Sequence, residues 1–199
     1  LGSYDDARRI TEEALGRLRA SPAHGEDHPS TLDLAGAVGI YLRITGSYRE
    51  ALAMDRDVVD RRRRIGGDTD SATLRALGNL AVSLRANGMF AEAYSVDLQA
   101  REAFVRGLGT GHPRTLLASG NLARDLYGLG RYADSLELVD EILPEQIRLH
   151  GSSHEYVLQS TRLRAIEISP AWLTRRSTAA ARTRSTRPAS AAGASTPRS

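Results

Sequence analysis

The chain has 199 residues, 41% of them hydrophobic and 26% charged, and no cysteine, which excludes disulfides and thiolate metal sites. It contains no run of about 18 apolar residues and no basic-then-apolar leader after Leu1, which argues against a membrane span or secretory signal and for a soluble, cytoplasmic protein. The net charge of +3 is unevenly spread: six of the 27 basic residues, all Arg, lie beyond Ser169 with no acidic residue, so the remainder is net acidic and lacks the charge signature of a nucleic-acid-binding surface.

Internal periodicity decides the fold. Gly25, Gly67, Gly109 and Gly151 recur every 42 residues, as do Leu32, Leu74, Leu116 and Leu158. Thr31, Thr73 and Thr115 keep the same spacing, with Val157 in the fourth place. In another phase, Gly46-Ser47-Tyr48, Gly88-Met89-Phe90 and Gly130-Arg131-Tyr132 keep it too, while Gly2-Ser3-Tyr4 is displaced by two. Several phases agreeing on one period indicate a repeat array.

In chain order, residues 1–24 read as a partial repeat whose Gly2 to Ala20 stretch is a second helix without its partner. Full repeats follow at about 25–66, 67–108 and 109–150, each predicted as two helices. The first helix starts at His28-Pro29, Asp70-Ser71 or His112-Pro113, since Asp caps a helix N-terminus and Pro suits its first turn. It continues through Leu74, Leu77, Leu80, Ala81 and Leu84, repeated as Leu116, Leu122, Ala123 and Leu126, until Gly88 or Gly130 stops it. The second helix opens with an aromatic and a small residue three places on: Tyr48 and Ala51, Phe90 and Ala93, Tyr132 and Ser135. The small residue predicts a close helix crossing with the ring filling it. These second helices run to about Arg64, Arg106 and Leu149, and Pro144 predicts a kink or restart in the third. Residues 151–168 read as a partial repeat, a first helix from His154 to Ile168. The array is thus expected to be truncated at both ends and part of something longer. Residues 169–199, rich in Arg, Ala, Ser, Thr and Pro, predict a disordered tail in which Trp172-Leu173 is the apolar landmark.

The combination of Gly-x-aromatic-x-x-small, Asn79-Leu80-Ala81 and Asn121-Leu122-Ala123, and Gly-x-x-His-Pro-x-Thr-Leu resembles tetratricopeptide repeats of the longer, 42-residue kind found in kinesin light chains and many actinobacterial proteins. More narrowly, Asp60 to Gly66 and Asn121 to Leu126 look like the C-terminal arrays of bacterial proteins in FxSxx-COOH peptide-modification systems. The resemblance implies an all-α fold, a right-handed α-solenoid of antiparallel helix pairs, working as a protein- or peptide-binding scaffold without catalysis or cofactor. Arrays of that narrower kind often follow an NB-ARC-type ATPase domain. A regulatory array that contacts a missing N-terminal domain is therefore one alternative, although no Walker A signature occurs here. Nucleic-acid binding through the basic tail is another.

With the leucine stripe buried, Arg75, Asn79 and Val82 fall on a neighbouring face of the first helix. Their equivalents are Asp33, Ala37 and Ile40 before them and Leu117, Asn121 and Arg124 after. In the resembled family this face lines the ligand groove, and the Asn often bonds a peptide main chain, for which an amide's paired donor and acceptor are suited. An alternative in which the asparagines tie neighbouring helices together stays open. Arg61 to Arg64 point around all sides of a helix, so they read as a solvated structural run, with Asp57 and Asp60 placed to pair with Arg61 and Arg64. His24 with His28 and His150 with His154 are four apart, but His28, His112 and His154 share the helix-start phase with Asp70, which favours a structural role over metal binding. Gly107 to Gly111 lacks the Lys-Ser/Thr of a phosphate loop and reads as an inter-repeat turn.

Overall fold

The computed structural model describes residues 2–167, and their regular structure is entirely helical. The elements are α1 (Gly2–Ala20), α2 (Pro29–Ile44), α3 (Tyr48–Gly66), α4 (Ser71–Ala86), α5 (Phe90–Leu108), α6 (Pro113–Gly128), α7 (Tyr132–His150) and α8 (Glu155–Glu167). The expectations for the tail, including Trp172-Leu173, fall outside the described residues.

Local chemistry sets the boundaries of the first helices of the hairpins. Nδ1 of His28 accepts the backbone N–H of Ser30 at 3.2 Å, and Nδ1 of His112 accepts that of Arg114 at the same distance. Asp70 accepts the N–H groups of Ala72 and Thr73 at 2.9 and 3.1 Å, and His154 accepts that of Tyr156 at 3.3 Å. The repeating histidines therefore satisfy helix donors that would otherwise lack partners. At the opposite ends, the N–H groups of Ser47, Met89 and Arg131 return to the carbonyls of Leu42, Leu84 and Leu126 at 2.8–2.9 Å. These six-residue closures require the intervening Gly46, Gly88 and Gly130 to take positive φ, as they do at +86°, +75° and +75°.

The predicted stripe is the core: Leu74, Leu77, Leu80, Ala81 and Leu84 are all buried, as are Leu116, Leu122, Ala123 and Leu126. One apolar cluster runs from Leu15 in α1 to Ala100 in α5, and another joins Ala123, Val139 and Leu163 across α6, α7 and α8. Each helix packs on the next, and α2 also touches α4, as α6 does α8, which stacks the hairpins into a solenoid.

Three local expectations need correction. Small residues do occupy the crossings, since Ala51, Ala93 and Ser135 are fully buried, and Ser135 Oγ donates to the Ala123 carbonyl at 2.9 Å. The rings do not fill them, however: Tyr48 and Tyr132 are 47% and 38% exposed, and Phe90 lies over Gly128 of the following hairpin, where a Cβ would overlap its ring. Phe90 thus seals its hairpin against the next, whereas the Tyr132 ring packs edge-on against Tyr127 within its own hairpin, 5.2 Å between centroids. Second, α7 continues through Pro144 without a restart, because Val139, Ile142, Leu143 and Gln146 hold one face in the core while the proline lies on the exposed face. Third, of the two ion pairs expected in the arginine run, Arg61 bonds Asp57 at 2.9 Å but Arg64 reaches Asp27, at 4.0 Å, instead of Asp60. Nor is the whole run solvated, since Arg62 is 7% exposed and donates to Asp33 and the Pro29 carbonyl at 2.7 and 2.9 Å.

Candidate functional site

The first helices of successive hairpins face one another along one side of the array, but α4 and α6 approach less closely than α2 and α4 or α6 and α8. A cavity of about 420 Å³ opens in that gap. Arg75, Asn79 and Val82 from α4 line it together with Leu117, Asn121 and Arg124 from α6, so all six sequence-predicted groove residues meet at one site. Sequence reasoning missed the rest of the wall: Asp97 and Phe104 from α5, Arg114 from α6, and Tyr156 and Gln159 from α8. The α5 residues belong to phases that a first-helix face does not contain, whereas Gln159 of α8 stands 42 residues after Leu117 and 84 after Arg75, so the repeat period itself could have found it.

The two asparagines occupy equivalent positions in unequal surroundings. Asn79 lies over Gly36, its Nδ2 3.7 Å from where a Cβ would stand. Were Asn121 turned the same way, it would lie over Gly78. Instead its Oδ1 accepts a bond from Arg124 Nη2 within the same helix, and Gly78 has nothing within 4 Å of a Cβ position. The bare helix backbone at Gly78 therefore faces the cavity. Asn121 is 9% exposed, and its Nδ2 has no partner among the described residues.

The arginines differ as well. Arg75 is engaged by Asp33 at 2.5 Å, across to the preceding hairpin. Arg114 donates to Ser71 Oγ at 3.1 Å. Arg124 is half-buried against Asn121 without a carboxylate in ion-pair range among the described residues, and burial, reinforced by Arg85, holds its guanidinium below the usual arginine range.

Beneath the groove, buried charge joins the hairpins. In the first joint, Arg43 Nη1 donates to Asp55 Oδ2 at 2.5 Å and to Ser83 Oγ at 2.9 Å, while Ser83 Oγ donates to Asp55 at 2.6 Å. The next joint carries Arg85 and Asp97 in the same phases but Asp125 in place of the serine. Arg85 Nη1 reaches Asp97 Oδ2 at 2.5 Å and Asp125 Oδ1 at 3.0 Å. Both carboxyls are essentially inaccessible, and Asp125 Oδ2 and Arg85 Nη2 lack partners. Burial pushes Asp125 up to about 7, with Asp97 adding to the rise and Arg85 opposing it; Asp97 is raised chiefly by burial too. In the third repeat, Tyr127 and Val139 take the Arg and Asp phases and the joint is apolar. The pairs Arg43/Arg85 and Asp55/Asp97, each at the repeat period, were the available sequence signal for this buried layer.

Two tetratricopeptide repeat family models match the chain, one over residues 31–70 and one over 72–144. Among solved structures, nearly identical TPR-like repeats from Podosopora anserina, described as a kinesin light chain, superpose with a TM-score of 0.70 at 21% identity, covering 94% of this chain and 90% of that one. A point-substituted form of those repeats gives 0.72 at 21% identity over 92% and 85%. BtubC (BKLC) from P. vanneervenii gives 0.70 at 17% identity over 100% and 81%. No curated protein sequence matches the chain.

Proposed function

Since the chain belongs to the tetratricopeptide repeat family, whose arrays are protein–protein interaction scaffolds, we propose that it holds an extended peptide segment of a partner protein in the cavity between α4 and α6, binding without turnover. One observation carries this reading: polar side chains, apolar side chains and uncovered backbone meet in a single cavity of about 420 Å³, a size suited to a few residues of an extended chain. The unused Nδ2 of Asn121 and the exposed backbone at Gly78 suit a ligand's main chain, while Val82, Phe104 and Leu117 offer apolar contact.

The test is to isolate a partner with the full chain, map its bound segment, and compare that synthetic segment by calorimetry on wild type and on the Asn79→Ala, Asn121→Ala double variant. Loss of two hydrogen bonds at about 0.5 to 1.5 kcal/mol each predicts affinity weakened by about tenfold or more, with little change in thermal stability. Unchanged affinity with lowered stability would reassign the asparagines to tying helices together.

A further inference from the structure

The joint between α4, α5 and α6 differs from the preceding one in a way packing does not require. Where the first joint sets one cation against one carboxylate and a hydroxyl, this one sets one cation against two carboxylates, both reaching a single guanidinium nitrogen. Two buried carboxylates this close cannot both ionise without a cost that one arginine only partly offsets. Asp125 Oδ2, fully buried and without a hydrogen-bond partner, is the atom best placed to carry a proton. Asp97 is itself part of the cavity wall, so this joint is the floor of the groove.

The groups that face the pair complete the charge balance. Arg85 approaches from α4, with Arg43 of α2 beyond it; Arg124 stands beside Asp125 on α6, and Glu155 of α8 lies opposite Arg124. Arg43 is offset by its own partner Asp55; with one proton on the acid pair, Arg85, Arg124, Asp97, Asp125 and Glu155 sum to zero, and without it they sum to one negative charge. Arg124 opens into the cavity and, among the described residues, has no carboxylate in ion-pair range.

We propose that a single proton held between Asp97 and Asp125 sets the charge at the Arg124 end of the groove, so that a carboxylate group of the bound segment is accepted at Arg124 while the proton is in place and released as the pair ionises. This rests on the reading of the cavity as a peptide groove and adds to it the ligand chemistry at one end and its control. Ligand binding takes up a proton, and by linkage an acidic ligand raises the pair's proton affinity.

The proton site is tested without any ligand, by following the carboxyl carbons of Asp97 and Asp125 in the full chain by NMR as pH is raised. A titration near neutrality is expected. If neither carboxyl titrates between about pH 5 and about pH 8, the proposal is overturned whatever the groove binds. The second arm uses a capped, fluorescently labelled peptide of alternating Glu and Gly, whose own carboxyls stay ionised above about pH 6. Wild type should bind it about tenfold more tightly at pH 6 than at pH 8, the effect of one charge at short range across a partly desolvated site. The pH dependence should vanish in Asp125→Ser, which copies the arrangement the first joint carries at Ser83, and in Asp125→Asn, which keeps the size. Binding that ignores pH, or a pH dependence that survives both substitutions, overturns the proton control. Absence of binding at both pH values overturns the anion-accepting end, leaving the asparagine reading to its own experiment.

Discussion

Asp33 and Arg75 hold the same register position in consecutive repeats, 42 residues apart, and are joined by an ion pair of 2.5 Å. Asp33 also accepts from the buried Arg62 at 2.7 Å. The two ends of the bond are thus unequal. Arg75→Ala removes a half-exposed, solvent-screened partner and should cost no more than about 1 kcal/mol. Asp33→Ala leaves Arg62 with the Pro29 carbonyl alone and should cost about 1.5 to 3 kcal/mol. Urea unfolding of the two variants decides it, and equal losses would mean that Arg62 does not depend on Asp33.

Ala93 is fully buried at the crossing of α4 and α5. Ala93→Leu should overpack that crossing and lower stability by about 1 to 3 kcal/mol. Gly88→Ala, at φ +75°, should cost about 1 to 2 kcal/mol for the left-handed conformation alone. Thermal melts unchanged from wild type would refute the hairpin geometry at that position.

Phe90 and Gly128 form the seal between the second and third hairpins, and a methyl at 128 would overlap the ring. Gly128→Ala should therefore destabilise the wild type by about 1 to 3 kcal/mol. Made in a Phe90→Ala background, the same change should be neutral or stabilising by up to about 1 kcal/mol, because alanine is the better helix former. Penalties that add without coupling in a double-mutant cycle would show that the two do not touch.

The buried acid pair gives stability a defined pH slope. Asp125 is raised from 3.8 to about 7, so the folded state holds a proton that the unfolded state has already released. Stability from this group is therefore fully present below about pH 4, falls as pH rises towards 7, and stays low above it. Denaturant midpoints from pH 4 to 8 should show a decline that flattens in Asp125→Ser. A midpoint that instead rises across that range in wild type and falls on substitution would reverse the assigned sign.

Much of the fold is written in local chemistry. The helix starts at His28, Asp70 and His112 and the turns at Gly46, Gly88 and Gly130 depend on bonds to residues within one turn, so type and spacing predict them. The leucine stripe follows for the same reason, since one helix's periodicity already states which face must leave water. The mistaken expectations at Phe90, Arg62 and Arg64 concern partners far along the chain. The ring of Phe90 has an apolar surface to bury in either direction, and Gly128 offers the space only once the hairpins are stacked.

Sequence by itself determined the repeat, its helices, its buried face and the six first-helix residues of α4 and α6 that line the cavity, because each of these is fixed by contacts within a helix or between neighbours at a constant period. Tertiary structure alone decided how those residues differ. It assigned Arg75 to Asp33, turned Asn121 towards Arg124 and away from Gly78, and brought Asp97 and Asp125 to one side of Arg85 beneath the cavity. Equivalent positions carry equal propensities, but charge and hydrogen bonding depend on what stands within about 4 Å, and in a stacked array that neighbour comes from a different repeat with a different residue at the same phase.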